Sequence, residues 1–277
     1  MNTEHARTFL AVADTGSFVA AAQRLHVTQS TVSARVRALE ENLGRQLFIR
    51  NKAGAQLTSS GSRFLKHAGL MVRTLEHARH DIGLPGRFRA SVVIGARIGL
   101  WEDLLINWLS QRQKENSDVS FRAEIGFEPE IMQGLIEGRI DVGFLYTPQR
   151  RPNLDLLPFV RERLVMVSSS PQPTSTAANY VHVDWGPEFQ DQFAAAFPVS
   201  PAPAVTFNIG TLGLQFLRLN GGCGYFPYRL VKTALESKQF FLVPDVPAFE
   251  LPAWIVIRQD RDKTLVDPML DVLPKNG

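Results

Sequence analysis

The stretch from Ser17 to Phe48 constrains the fold more than any other part of this 277-residue chain. Phe18, Ala21, Ala22 and Leu25 fall at i, i+3, i+4 and i+7, one apolar face of a helix. His26-Val27-Thr28 breaks the pattern, and Thr28 is a suitable N-cap for a second helix. There Val32, Val36, Leu39 and Leu43 recur at steps of four, three and four. At about 100° per residue the opposite face carries Ser30, Ser33, Ala34 and Arg37, with Gln29 at the entrance. Gly44 is a natural stop. Two short helices joined by a tight turn, the second polar and free of carboxylates in its N-terminal half, form the layout of a helix-turn-helix. The second helix of that motif lies in the DNA major groove. A plain helical hairpin would share the periodicity. The gathering of Gln, Ser, Thr and Arg on the exposed face, with Glu40 and Glu41 at the far end, favours DNA.

The flanks extend the motif. Thr3 to Asp14 reads as a first helix, with Phe9, Leu10, Val12 and Ala13 available to pack beneath it. Leu47 to Arg50 and Ala55 to Thr58 are short strand-like runs with a turn over residues 51–54, where Gly54 can take a positive φ. Such a hairpin is a wing. Arg50 and Lys52, at its start and tip, are placed to touch backbone phosphates, the alternative being solvated surface charge. Charge follows the same division. Residues 1–85 carry eleven Lys/Arg against six Asp/Glu, and the remainder nineteen against twenty-one. One part is built to meet phosphates and the other is not.

The length allows two or three domains. The longest apolar runs fall far short of the ~20 residues a membrane helix needs. The first residues, MNTEHARTFL, hold no apolar signal core, so a secretory signal and a membrane partner are not expected and a cytoplasmic location is. The single cysteine, Cys223, precludes an intrachain disulfide and suits a reducing compartment. It is expected as a buried free thiol.

Ser59 to Ile82 reads as one long helix. Phe64, Ala68, Met71, Leu75, Ala78 and Ile82 alternate steps of four and three, a seam suited to pairing with a second copy. His67, His77 and His80 lie nearby, but no Cys or carboxylate completes a ligand set, so no metal or other cofactor is expected. Leu84-Pro85-Gly86 ends the helix. From Ala90 strands and helices alternate. Strands are read at 91–95, 119–125, 140–146, 163–168, 181–183, 204–207, 222–226, 240–243 and 253–258. Helices are read at 100–113, 129–137, 188–197, 209–219 and 228–237. The succession argues for an α/β region with a mostly parallel sheet, long enough to split into two lobes. Pro171 to Ala178 reads as a surface loop.

Phe9-Leu10-Ala11-Val12-Ala13, Gly16-Ser17-Phe18, Ala21-Ala22, Leu25, Val27-Thr28-Gln29-Ser30, Val32-Ser33, Arg37, Leu39-Glu40, Leu43-Gly44, Leu47-Phe48, Arg50, Leu57-Thr58 and Gly61 together resemble the N-terminal signature of LysR-type transcriptional regulators. Two later patches, Ile94-Gly95-Ala96 with Leu100-Trp101-Glu102 and Trp185 to Gln190, are similar to the branch of that family containing a repressor of the flagellar master operon. The resemblance implies an α/β fold class with an N-terminal all-α winged helix-turn-helix, a long linker helix and a two-lobed, periplasmic-binding-protein-like effector domain. The corresponding domains are residues 1–58, 59–85 and 90–277. Lobe I spans about 90–160 and 252–277, lobe II about 161–251, and the crossing strands lie near 158–164 and 248–254. It further implies binding of double-stranded promoter DNA modulated by a small-molecule effector, a homodimer through residues 59–82, and a homotetramer.

The expected DNA-contacting residues are Thr28, Gln29, Ser30, Thr31, Ser33, Ala34, Arg35, Arg37, Arg50 and Lys52. Gln29 suits adenine, and Arg37 suits guanine or phosphate. The family often has arginine where Ala34 stands; here it comes one position later, and Arg35 on the helix flank is better placed for phosphate. In open α/β sheets a ligand binds beyond the strand carboxyl ends, near helix N-termini. That places effector contacts at Ala96, Arg97 and Ile98, at Phe127 and Glu128, at Tyr146, and at Asn208 and Gly210. Arg97 in a solvated cleft would hold a carboxylate or phosphate; the alternative is an ion pair with Glu128 or Glu102. Glu128 departs from the small hydroxyl residue common at this turn in the family, and a carboxylate there repels an anion or neutralises Arg97. The rival reading is a periplasmic-type small-molecule binding protein without a DNA role, against which stand the basic N-terminal region and the missing signal sequence. An enzyme is not expected. Ser168-Ser169-Ser170 has no nearby His or Asp motif, and the run Gly221-Gly222-Cys223-Gly224 lacks a P-loop lysine.

Overall fold

The computed structural model describes residues 2–51, 54–82, 86–171, 179–198, 203 and 205–271. The chain begins with α1 (Thr3–Thr15), α2 (Phe18–Arg24) and α3 (Gln29–Leu43). Side-chain caps start each of them. Asn2 accepts from the Glu4 amide, Ser17 from Ala20 and Thr28 from Thr31. Gly16 and Gly44 close α1 and α3 in the left-handed conformation. The α2–α3 turn passes through His26 at φ 53°. A hairpin follows, β1 (Phe48–Asn51) paired antiparallel with β2 (Gly54–Leu57). The wing seats on the α1–α2 corner, where the Ala55 amide donates to the Gly16 carbonyl at 2.8 Å. Gly54 is required there, because a Cβ would lie 2.4 Å from that same oxygen. Phe9, Phe18, Phe48 and Phe64 fill the core beneath α3, with the Phe9 ring 5.1 Å from Phe48 and 5.0 Å from Phe64.

The helix α4 (Ser59–Ile82) matches the expected span, but its apolar seam is divided. Phe64, Ala68 and Val72 are buried within the same chain, against α1 and the wing. Met71 and Leu75 stay partly exposed, Leu70 is exposed, and Ile82 almost fully so. The seam read as continuous from Phe64 therefore serves the chain's own core at its start. Only its C-terminal half is open to another molecule. The side chains of His77 and His80 lie outside the described residues, as do Leu84, Pro85 and residues 172–178 of the expected loop.

The remainder is built on one curled sheet. In chain order come β3 (Ala90–Ala96), α5 (Ile98–Leu100), a widened turn at Trp101–Leu105, α6 (Ile106–Glu115), β4 (Val119–Ile125), α7 (Glu128–Glu137), β5 (Val142–Leu145) and β6 (Leu154–Ser168). Then follow β7 (Val181–Val183), α8 (Pro187–Ala196), β8 (Val205–Phe207), α9 (Gly210–Asn220), β9 (Cys223–Pro227), α10 (Tyr228–Glu236), β10 (Phe241–Leu242), β11 (Phe249–Arg258) and α11 (Lys263–Leu270). The strand order is β10-β6-β11-β5-β3-β4, with β9 also on β6 and a separate pair β7-β8. The expectation of a mostly parallel sheet is corrected. β3 pairs in parallel with β4 and β5, but β6 and β11 run antiparallel to each other and to every neighbour. These two long strands pass through both lobes. The first half of β6 and the second half of β11 continue the β5 sheet, whereas Leu164–Ser168 pairs with β9. The helix expected over 100–113 is also broken, with Glu102 at ψ 126° and Asp103 at φ 62°.

The two parts touch. Asp14, at the end of α1, is paired with Arg24 of α2 at 2.6 Å and with Arg151 beyond β5 at 2.7 Å. Arg258 on β11 donates to the Leu135 and Ile136 carbonyls at the end of α7, and its guanidinium lies close against Gly69 of α4, where a Cβ would be 2.6 Å away.

Candidate functional site

The α3 helix exposes the residues read as DNA contacts. Gln29, Ser30, Ala34 and Arg37 are exposed, Thr31 and Ser33 half-buried, while Val32, Val36 and Leu39 are fully buried. Thr28 is occupied at the helix start, with its Oγ1 2.8 Å from both the Ser30 and Thr31 hydroxyls. Arg35 departs from the rest. It turns toward α1, 3.5 Å from Glu4 and donating to Thr8 at 3.4 Å. Glu40 is also engaged within the chain: its carboxylate accepts the Leu47 and Phe48 amides and fixes the entry to the wing. Arg50 lies on β1 opposite Ala55; its side chain and the whole of Lys52 lie outside the described residues.

The second candidate site is the cleft between the lobes. Strands β3 and β5 end at its floor, so Arg97, Phe127 and Tyr146 converge there, as the topology demands. Arg97 lacks the freedom expected of it. Its guanidinium is 2.9 Å from Glu128, 4.6 Å above the Phe127 ring, and donates at 3.3 Å across the cleft to the Asn208 carbonyl. With 12% of its side chain exposed, it is an ion-paired bridge rather than a solvated anion hook. Ala96 is fully buried, and its carbonyl accepts from Gly126. Gly210 owes its place to Trp185, because a Cβ there would sit 2.2 Å from the indole. That indole donates to the Tyr225 carbonyl at 2.9 Å and meets Tyr146 edge-on.

The strongest grouping in the cleft centres on Glu162 and Arg229, which were not expected there, and draws in Tyr146, which was. Glu162, on β6, has 2% of its side chain exposed. It accepts Nε and Nη2 of Arg229 at 2.8 Å each and the Tyr146 hydroxyl at 2.7 Å. Arg229, at the start of α10, also donates to the Gly99 carbonyl and, at 2.6 Å, to the Glu102 carbonyl. Burial opposes the Arg229 cation, but the Glu162 carboxylate outweighs it and lifts the guanidinium pKa above its ordinary value. Burial, then Glu162, hold the Tyr146 phenol well above its usual range. Burial also raises the Glu102 carboxyl, against Arg229, and Glu102 bonds Thr211 from the other lobe. The sequence signal is faint: Glu162 stands between Arg161 and Arg163 in the crossing strand, and it is the alternation of exposed and buried positions along β6 that turns it inward. Cys223 is buried and burial raises its thiol pKa, which favours the unreactive protonated form. Gly222 packs against Asn179, where a Cβ would lie 2.4 Å from the carbonyl oxygen, so the glycine serves close approach.

A winged helix-turn-helix whose second helix is free of carboxylates in its exposed N-terminal half, joined by a long helix to a two-lobed α/β domain with a polar cleft, is a DNA-binding transcription regulator with an effector domain. Residues 3–62 match the bacterial regulatory helix-turn-helix protein, lysR family, and residues 85–276 match the LysR substrate binding domain. The chain belongs to the LysR family of transcriptional regulators. It is 30% identical over 266 residues to the HTH-type transcriptional regulator HdfR of Salmonella typhimurium, covering 95% of this chain and 94% of the relative. Its fold matches ArgP from Mycobacterium tuberculosis at 24% identity and TM-score 0.60, covering 99% and 96% of the two chains. It also matches Vibrio fischeri DarR in complex with DNA at 20% identity and TM-score 0.59, covering 99% and 98%. Among the described residues no helix is long and apolar enough to cross a membrane.

Proposed function

We propose that the chain reads a promoter with Gln29, Ser30, Ser33, Ala34 and Arg37 of α3, and that a small molecule in the interlobe cleft modulates that binding. The observation carrying the first part is the exposed N-terminal half of α3, free of carboxylates, over a fully buried Val32-Val36-Leu39 stripe. Arg50 and Lys52 of the wing hold phosphates in this reading, and Arg35 is left to α1 by its contacts with Glu4 and Thr8. A regulator of this kind works where the chromosome is, in the cytoplasm. Shift assays on DNA from the gene's own upstream region test it. Gln29→Ala and Arg37→Ala should each weaken the specific site by ~1–3 kcal/mol if they contact base edges. Arg50→Ala should weaken both and flatten the salt dependence. Equal losses on every sequence for Gln29→Ala would remove it from base readout.

The open C-terminal half of α4, with Met71, Leu75 and Ile82, is the proposed dimer seam, and tetramers follow from a second contact between effector domains. Charged residues at Met71 and Leu75 should halve the mass measured by light scattering. An unchanged mass would place association elsewhere. The cleft acts at a distance, because a ligand there cannot touch DNA and can only bias arrangements that differ in DNA affinity.

A further inference from the structure

Arg229 belongs to the second lobe, yet two of its four hydrogen bonds end on first-lobe carbonyls, those of Gly99 and Glu102. The other two are a bidentate pair on Glu162. The Glu102 carbonyl is available because the helical run breaks there. Glu102 leaves the helical conformation, and Asp103 takes φ 62° and ψ −33°, unfavourable for a residue other than glycine. Widened or broken turns of this kind free a carbonyl from the helical ladder, and here a guanidinium takes it. Trp185, Gly99 and Tyr146 close the space beside it.

We propose that the cleft contains a guanidinium-binding subsite formed by Glu162 and the Gly99 and Glu102 carbonyls, and that the chain's own Arg229 fills it as a tethered ligand latching the lobes together. The inference rests on the cleft being the effector site. The chemistry selects a planar cation. A fork of parallel N–H groups meets both carboxylate oxygens while its outer edges reach the two carbonyls, and a tetrahedral ammonium cannot span all four. The carboxylate of Glu162, almost fully buried, needs a cation in place. A soluble cation competes in the wild type against a group held at an effective concentration on the order of millimolar or more, so the subsite is closed to it. Arg97, reaching the Asn208 carbonyl from the opposite lobe, is a second cross-cleft tie.

Removing the tether opens the subsite. Full-length Arg229→Ala should melt at a lower temperature than wild type and lose hydrogen-exchange protection over residues 98–105. Methylguanidinium chloride at low millimolar concentration should raise its melting temperature saturably and restore that protection. Sodium and tetramethylammonium chloride at equal ionic strength should not, and the wild type should not respond. In Arg229→Ala combined with Glu162→Gln the response should vanish. A folded Arg229→Ala without a saturable response, or a wild type with the same response, overturns the subsite. Should Arg229→Ala not fold alone, it is refolded with and without methylguanidinium. Recovery only with the cation supports the subsite, and equal outcomes in the two conditions overturn it. Shift assays on the same samples read regulation separately. A saturable thermal response with unaltered DNA binding upholds the subsite and overturns the regulatory role of the cleft instead.

Discussion

Glu162→Ala should destabilise the effector region by about 3–5 kcal/mol. The substitution removes the carboxylate that accepts two bonds from Arg229 and one from Tyr146, and leaves both donors inside the protein. The loss is that of a stranded buried cation and not the net worth of the ion pair. Replacing both members of such a pair with apolar groups is often neutral or stabilising. Glu162→Met with Arg229→Met should therefore recover most of the stability that either single variant loses. The measurement is equilibrium denaturation of the full chain, followed through the tryptophans, three of which (Trp101, Trp108 and Trp185) are buried in the effector region. A single variant within about 1 kcal/mol of wild type would mean that water reaches Glu162 and that the pair is a surface one in energetic terms.

Phe9→Ala should remove a comparable amount, about 3–5 kcal/mol, from the DNA-binding region. Phe9 is fully buried at the point where α1, the wing and α4 meet, with Phe48 and Phe64 against its faces and edge. Truncation leaves a cavity that three separate elements would have to move to fill. Whole domains are stable by only about 5–15 kcal/mol, so the recognition helix should lose its support well below the melting of the effector region. The expected result is a shift assay that fails on warming while the cleft tryptophans still report a folded environment. DNA binding with an unchanged temperature profile would show that the core collapses around the missing ring.

The DNA-binding region was legible because its determinants are local. Thr28 and Gly44 specify helix ends within a few residues of themselves, and a 3.6-residue repeat names the buried face before any partner is known. That is why α3 emerges with Val32, Val36 and Leu39 inside and Gln29 and Arg37 outside. The helical seam of α4 was legible as apolar, but which molecule it packs against was not. Period alone cannot tell the chain's own α1 from a second copy, and Phe64 and Ala68 went to α1.

The cleft divides in the same way. Strand ends and helix starts placed Arg97, Phe127 and Tyr146 near one another, since a ligand crevice follows from α/β topology. Strand direction was not available, because the side-chain pattern of a strand does not say which way its neighbours run; β6 and β11 were settled only by their hydrogen-bonded register. The charge pairing was settled in the same way. Glu162 meets Arg229 across 67 residues of sequence, and Arg229 meets Gly99 across 130. Between Arg161 and Arg163 the acid reads as one of three surface charges, and only once the strand buries Glu162 does the cost of burying it alone demand a cation. Which cation joins it depends on which chain segments the fold brings within hydrogen-bonding distance, and only the folded arrangement of the two lobes decides that.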